Sequence, residues 1–133
     1  MRFTPNNITK LKPYEIFVFG SNEAGIHGAG AARVANKLFG AEFGKGFGRT
    51  GQAYAIPTKN HMIKTLSLPA IEKYVKQFIE ESKNYSYLTF LVTEIGCGLA
   101  GWTAKDIAPM FKDIPDNIIL PESFYKVLNP VCN

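Results

Sequence analysis

Residues 15–38 read EIFVFGSNEAGIHGAGAARVANKL. The first six, Glu15–Gly20, make an almost unbroken apolar run bounded by Pro13 and Gly20, the mark of a buried strand. From Gly28 the period changes. Ala31, Ala32, Val34, Ala35 and Leu38 fall on one face of a helix expected over Gly28–Leu38, with Gly40 as its stop. A short buried strand that turns through glycines into an amphipathic helix opens a βαβ unit.

The chain then repeats this alternation. Ala53–Thr58 (AYAIPT) predicts a second strand, placed at an end or edge by Pro57. Ser67 and Pro69 open a helix whose Ile71, Tyr74, Val75, Phe78 and Ile79 keep helical spacing, with Glu72, Lys73, Lys76, Glu80 and Glu81 on the solvated face. Tyr87–Ile95 (YLTFLVTEI) is the longest strand candidate. Thr103–Asp106 matches a capping box for a third helix, which Pro109 kinks or shortens. Asn117–Leu120 predicts a fourth strand and Phe124–Leu128 a last edge strand, while Glu42–Gln52 (EFGKGFGRTGQ) reads as a glycine-rich loop. The expectation is a single α/β domain over residues 1–133, with a mostly parallel sheet and helices on both faces. Ligands of such folds sit beyond the carboxyl ends of the strands.

Composition narrows the class. At 133 residues, 46% hydrophobic with ten Phe and six Tyr, the chain is long enough to bury a core, which excludes intrinsic disorder. No apolar run approaches the ~18 residues of a membrane span, and Met1–Pro5 shows no signal-peptide pattern, so a cytoplasmic protein is expected. Two cysteines, Cys97 and Cys132, supply neither a disulfide framework nor a metal cluster, and no cofactor is expected. The net charge of +4 mildly favours anionic partners, but no basic run marks a nucleic-acid-binding arm.

All twelve glycines lie in two windows, nine between Gly20 and Gly51 and three between Gly96 and Gly101. Gly46–Gly51 satisfies GxGxxG, yet it precedes a strand and opens no helix. Gly28-Ala29-Gly30 does open a helix but has Arg33 where a dinucleotide fingerprint needs its third glycine, and Gly44-Lys45-Gly46 lacks the Ser or Thr of a P-loop. What remains is a helix N-terminus at Gly28–Ala31 and a second loop, Gly96–Gly101, that leads to another at Thr103. Helix N-termini offer unpaired N–H groups to anions, and two side by side suit a diphosphate. Ordinary helix capping is the competing explanation.

These motifs resemble the macro-domain superfamily, whose members bind ADP-ribose and its derivatives, and most of all a bacterial and phage branch with an FGSNxxGxHGAGAA signature. The likeness spans nearly the whole chain in element order and implies a three-layer α/β/α fold. Asn6-Asn7-Ile8-Thr9 resembles the family's Gly-Asp-Ile-Thr motif, which places Asn7 at the adenine. Ser21-Asn22 falls where the family carries the Asn that meets the distal ribose. Gly25–Gly30 resembles the first ligand loop and Ile95–Trp102 the second, which wraps the diphosphate. Two departures stand out: Asn7 replaces an acidic residue, and His27 stands where one hydrolytic branch has Asp.

The resemblance therefore implies an ADP-ribose-type ligand contacted by Asn7, Ser21, Asn22, His27, Gly28, Ala29 and Gly30, and by Gly96, Cys97, Gly98, Leu99, Ala100, Gly101 and Trp102. His27 and Asn22 are the candidate catalytic residues if the ligand is hydrolysed. Several of these positions have plainer readings. Asn22 suits a tight turn, His27 can serve through its backbone, and Cys97 can merely fill a loop, since no base stands beside it in sequence. Trp102 either covers a ribose or base, or packs on the third helix. Glu94 reads as a general base, a surface carboxylate or a partner for Arg33 or Arg49. The alternatives to binding alone are hydrolysis of an ADP-ribosyl bond or phosphate and, last, a basic RNA-binding module. Oligomeric state is left open.

Overall fold

The structure is a computed structural model that describes residues 2–130. Its elements follow in the order β1 (Glu15–Asn22), α1 (Gly30–Leu38), β2 (Gly48–Thr50), β3 (Ala53–Lys59), α2 (Leu68–Ser82), β4 (Thr89–Val92), α3 (Ala104–Ile107), β5 (Ile118–Ile119) and α4 (Glu122–Leu128), with a 3₁₀ turn at Ala108–Phe111. The five strands form one sheet in the order β2-β3-β1-β4-β5. All neighbours run parallel except β2 and β3. Among the described residues no helix is long and apolar enough to cross a membrane.

Strand alternation sends successive side chains to opposite faces. Ile16, Val18, Tyr54, Ile56, Phe90 and Val92 pack with Ile71, Val75 and Phe78 of α2 and with Ile107, Phe111 and Phe124 from the C-terminal third. Phe17 and Phe19 point the other way, into a smaller cluster with Ala32, Ala35 and Phe39. There β3 contributes only Ala53 and Ala55, and the small residues of α1 and β3 make room for three phenylalanine rings. The buried Tyr54 hydroxyl donates to the Glu81 carboxylate at the end of α2.

Apart from shifts of one or two residues at the ends of β1, β3 and β5, four features differ from the expectations, each for a local reason. First, α1 begins at Gly30 rather than Gly28, because Gly30 enters the helix with φ +59 and leaves the two preceding residues in the loop. Second, the Glu42–Gln52 segment contains β2, which pairs antiparallel with β3 through a two-residue turn. Gly51 supplies the positive φ, +57, that such a turn demands at its first central position. Third, β4 is trimmed to Thr89–Val92: the Leu88 N–H bonds back to Tyr85, and both the N–H and the hydroxyl of Thr93 donate to the Val18 carbonyl.

The fourth difference is a change of type. Phe124–Leu128 is not an edge strand but the body of α4. Pro121 precedes the helix, Phe124 is buried against Phe111 with ring centroids 5.9 Å apart, and Glu122 and Lys126 pair at i,i+4. The β5 edge is met instead by the N-terminal segment, where the Thr4 N–H donates to the Leu120 carbonyl at 2.9 Å and its hydroxyl to that of Ile119. As expected, the capping box of α3 forms, Thr103 donating from both N–H and hydroxyl to Asp106, and Pro109 turns the helix into the 3₁₀ segment.

The fit between small and aromatic residues under α1 is testable. Ala35 is fully buried, so Ala35→Leu has no room to relax and should cost about 1–3 kcal/mol in chemical denaturation. An unchanged midpoint would mean that α1 is not seated on the sheet as described.

Candidate functional site

β1 is the hinge of the topology. Its outgoing chain leads through α1 to β3 on one side, whereas β4 leads through α3 to β5 on the other. Where neighbouring parallel strands send their connections in opposite directions, a crevice opens at their carboxyl ends. A cleft of about 760 Å³ lies there, and both glycine loops line it. Its wall includes Asn7, Ser21, Asn22, Gly28, Ala29 and Gly30, and, from the second loop, Gly96, Cys97, Gly98, Leu99 and Ala100. Gly101, Trp102 and His27 are not on it. Lys59 and Ile63, from the end of β3 and the turn after it, complete the wall. Sequence reasoning overlooked those two, although a third parallel strand must end at the same edge of the sheet.

The first loop is held by backbone packing and one side-chain amide. Asn22 Nδ2 donates to the Ile26 carbonyl at 2.8 Å, and its Oδ1 accepts from the Ile26 N–H at 3.0 Å. Both ends of the amide thus brace the turn, which fits the plainer of its two readings. Behind the loop lies the glycine-rich 44–46 segment. The Gly44 N–H donates to the Gly25 carbonyl, and the Ser21 hydroxyl donates to that of Gly46. A Cβ on Gly25 would stand 2.3 Å from the Gly44 carbonyl carbon, and one on Gly46 would stand 2.3 Å from the Asn22 oxygen. These glycines are required because two backbones touch.

The glycines on the cleft differ. A Cβ at Gly28, Gly30 or Gly98 would meet nothing within 4 Å. Ala29 has no side chain able to cap α1, and the first turn carries no acidic residue. Among the described residues no acceptor meets the N–H groups of Gly30, Ala31 and Ala32, or those of Gly98, Leu99 and Ala100. Among the described residues, Lys59 and Glu94 are the only charged ones on the wall. An anion in this cleft would be met mainly by peptide N–H groups and the α1 dipole.

The titratable groups are arranged less favourably for catalysis. The His27 ring is 3% exposed and lies edge-on to Phe19 and Phe43, at 5.4 and 5.9 Å between centroids. Among the described residues neither ring nitrogen has a hydrogen-bond partner of good geometry, the Lys45 backbone offering only a poor one. Burial lowers its pKa below the usual imidazole value, and the Lys45 backbone opposes this more weakly. A ring in that cage does not reach the cleft. The Cys97 thiol is pushed up to about 11, by burial first and then by Glu94 and Asp106, which favours the protonated thiol over the thiolate at neutral pH. Cys132 lies outside the described residues. Glu94 is bonded neither to Arg33 nor to Arg49; its carboxylate accepts from the Ser123 hydroxyl at 2.7 Å. Trp102 packs against the larger core, its indole N–H donating to the Leu66 carbonyl at 3.1 Å.

The His27 cage sets a pH dependence. A folded-state pKa below the unfolded value of about 6.5 means that the unfolded chain binds the extra proton first. Stability from this group is complete above pH 6.5 and falls as the pH drops below it. His27→Phe should flatten the dependence of the urea midpoint between pH 7.5 and 5. Parallel wild-type and mutant profiles would show that the imidazole does not titrate against folding.

Compared with known proteins, the chain matches no family model, no curated protein and no solved structure.

Proposed function

We propose that the cleft binds a metabolite built around a diphosphate, of the ADP-ribose type, and that the chain is a three-layer α/β/α protein of macro-domain-like design. The observation that carries this reading is the convergence of two sets of unpaired N–H groups, at the start of α1 and in the Gly98–Ala100 tip, on one cleft at the topological switch point. Amides without an acceptor on glycine-rich backbone suit phosphate oxygens, which need close approach more than they need counter-charge. The volume, about 760 Å³, falls within the roughly 300–1,000 Å³ of small-molecule and cofactor sites. Asn7, on the same wall, is the candidate contact for the base, its amide able to both donate and accept.

Binding is favoured over hydrolysis by the state of the polar groups. His27 is caged away from the cleft, the Cys97 thiol is protonated, and Glu94 is tied to Ser123. Asn22 has both ends of its amide committed to Ile26. An RNA ligand ranks last, because a wall with one lysine and one glutamate offers a polyanion little field.

Calorimetric titration with ADP-ribose, ADP and a short RNA tests the reading directly. ADP-ribose should bind, with the RNA silent. Gly28→Val is the informative variant: Gly28 has no positive φ and no neighbour within 4 Å, so the fold should tolerate valine while the side chain occupies phosphate space. Its melting temperature should match the wild type, and its affinity for ADP-ribose should fall at least tenfold. A wild type that binds neither ADP-ribose nor ADP would remove the diphosphate reading altogether.

A further inference from the structure

Residues 60–65 form a tight turn beyond the end of β3. The Asn60 N–H donates to the Lys64 carbonyl at 2.8 Å, and the Ile63 N–H to the Asn60 carbonyl at 3.0 Å. The Asn60 side-chain oxygen accepts from the N–H groups of Met62 and Lys64. This closure puts Ile63 at φ +60. For a β-branched residue that is an outlier, since its Cβ crowds the following carbonyl. Burial does not compensate, because Ile63 is 41% exposed, and its exposed side chain lies on the cleft wall. Glycine or asparagine would fit the turn with less strain.

Two hydrogen bonds fasten the chain at the end of this turn. The Thr65 hydroxyl donates to the Ala100 carbonyl at 2.8 Å, and the Trp102 indole donates to the Leu66 carbonyl. The turn is thereby locked to the second glycine loop, whose Leu99 is 74% exposed and also lines the cleft. A strained apolar residue and an exposed leucine are held on two linked segments, next to N–H groups that have no partner.

We propose that Ile63, together with Leu99, is a specificity-determining contact that grips the apolar face of a ring in the ligand, adjoining its phosphates, so that the cleft selects a nucleotide-sugar type of molecule over a bare diphosphate. This rests on the reading of the cleft as a diphosphate site. The strain at Ile63 persists because the side chain is needed by the ligand and not by the turn.

The test compares wild type, Ile63→Gly and Ile63→Asn by thermal melting and by titration with ADP-ribose and with inorganic pyrophosphate. Both variants relieve the strained φ, so each should melt at or above the wild-type temperature. Each should also lose about tenfold in affinity for ADP-ribose, the scale of one lost apolar side-chain contact, with pyrophosphate binding changed less than twofold. Variants that bind ADP-ribose as tightly as wild type would overturn the inference while leaving the cleft reading intact. Equal losses for both probes would make the turn a general support for the second loop and overturn it too. If the wild type binds neither probe, the cleft reading fails first and the inference goes with it.

Discussion

β1 is hydrogen-bonded along both edges and buried on both faces, and that single circumstance organises the molecule. Its pairing with β3 on one side and β4 on the other leaves no edge for water. Its alternating side chains must be met by apolar layers above and below, Ile16 and Val18 by the α2 side, Phe17 and Phe19 by α1. A parallel strand so placed cannot be connected to either neighbour by a hairpin. Each crossover must carry a helix, and for right-handed crossovers to opposite sides those helices fall on opposite faces. The crevice between the ends of β1 and β4 is thus a consequence of burying one strand completely, and the two loops meet there because no other exit is open to the chain.

The same geometry divides the glycines into two kinds. Gly25, Gly46 and Gly51 are forced by backbone lying on backbone, with a would-be Cβ under 3 Å from the nearest atom. Gly28, Gly30 and Gly98 face empty space, two of them at positive φ. Composition alone cannot separate the two kinds, since both depart equally from average usage. Of the first kind, Gly25 and Gly46 build the floor under the 22–29 turn, while Gly51 packs on Phe39 and Gly40. The second leaves amides uncovered where a ligand can approach. The site is therefore preorganised by contacts that never touch its contents.

Much of this was legible from sequence wherever one local pattern had one physical outcome. An unbroken apolar run between Pro13 and Gly20 has little to be but a buried strand, and the capping box at Thr103 specifies its own geometry. Reading failed where tertiary contacts decided. Phe124–Leu128 is apolar and aromatic enough for a strand, yet the helix buries Phe124 on Phe111, and the sheet edge it would have joined is met by Thr4. β2 was hidden because three residues with glycine at one end hold their conformation only through β3. The burial of the His27 ring was hidden for a related reason. A histidine between glycines gives no sign that Phe43, sixteen residues on, will close over its ring.

On the proposed reading, a modestly basic chain meets an anion without a cationic patch. Fifteen Lys and Arg against eleven Asp and Glu leave a small positive field over the whole molecule, enough to favour the approach of an anion without choosing among them. On the wall itself Lys59 and Glu94 nearly cancel. If an anion is bound there as proposed, its recognition falls to the amide dipoles of α1 and of the Gly98 turn, which closes through the Gly101 N–H donating to the Gly98 carbonyl at 3.0 Å. Dipoles fixed in a framework discriminate by direction and distance, where flexible lysines would accept any phosphate within reach. Such a site needs its walls held still more than it needs charge. The close glycine packing beneath the first loop and the two hydrogen bonds that tie the 60–65 turn to the second supply that rigidity.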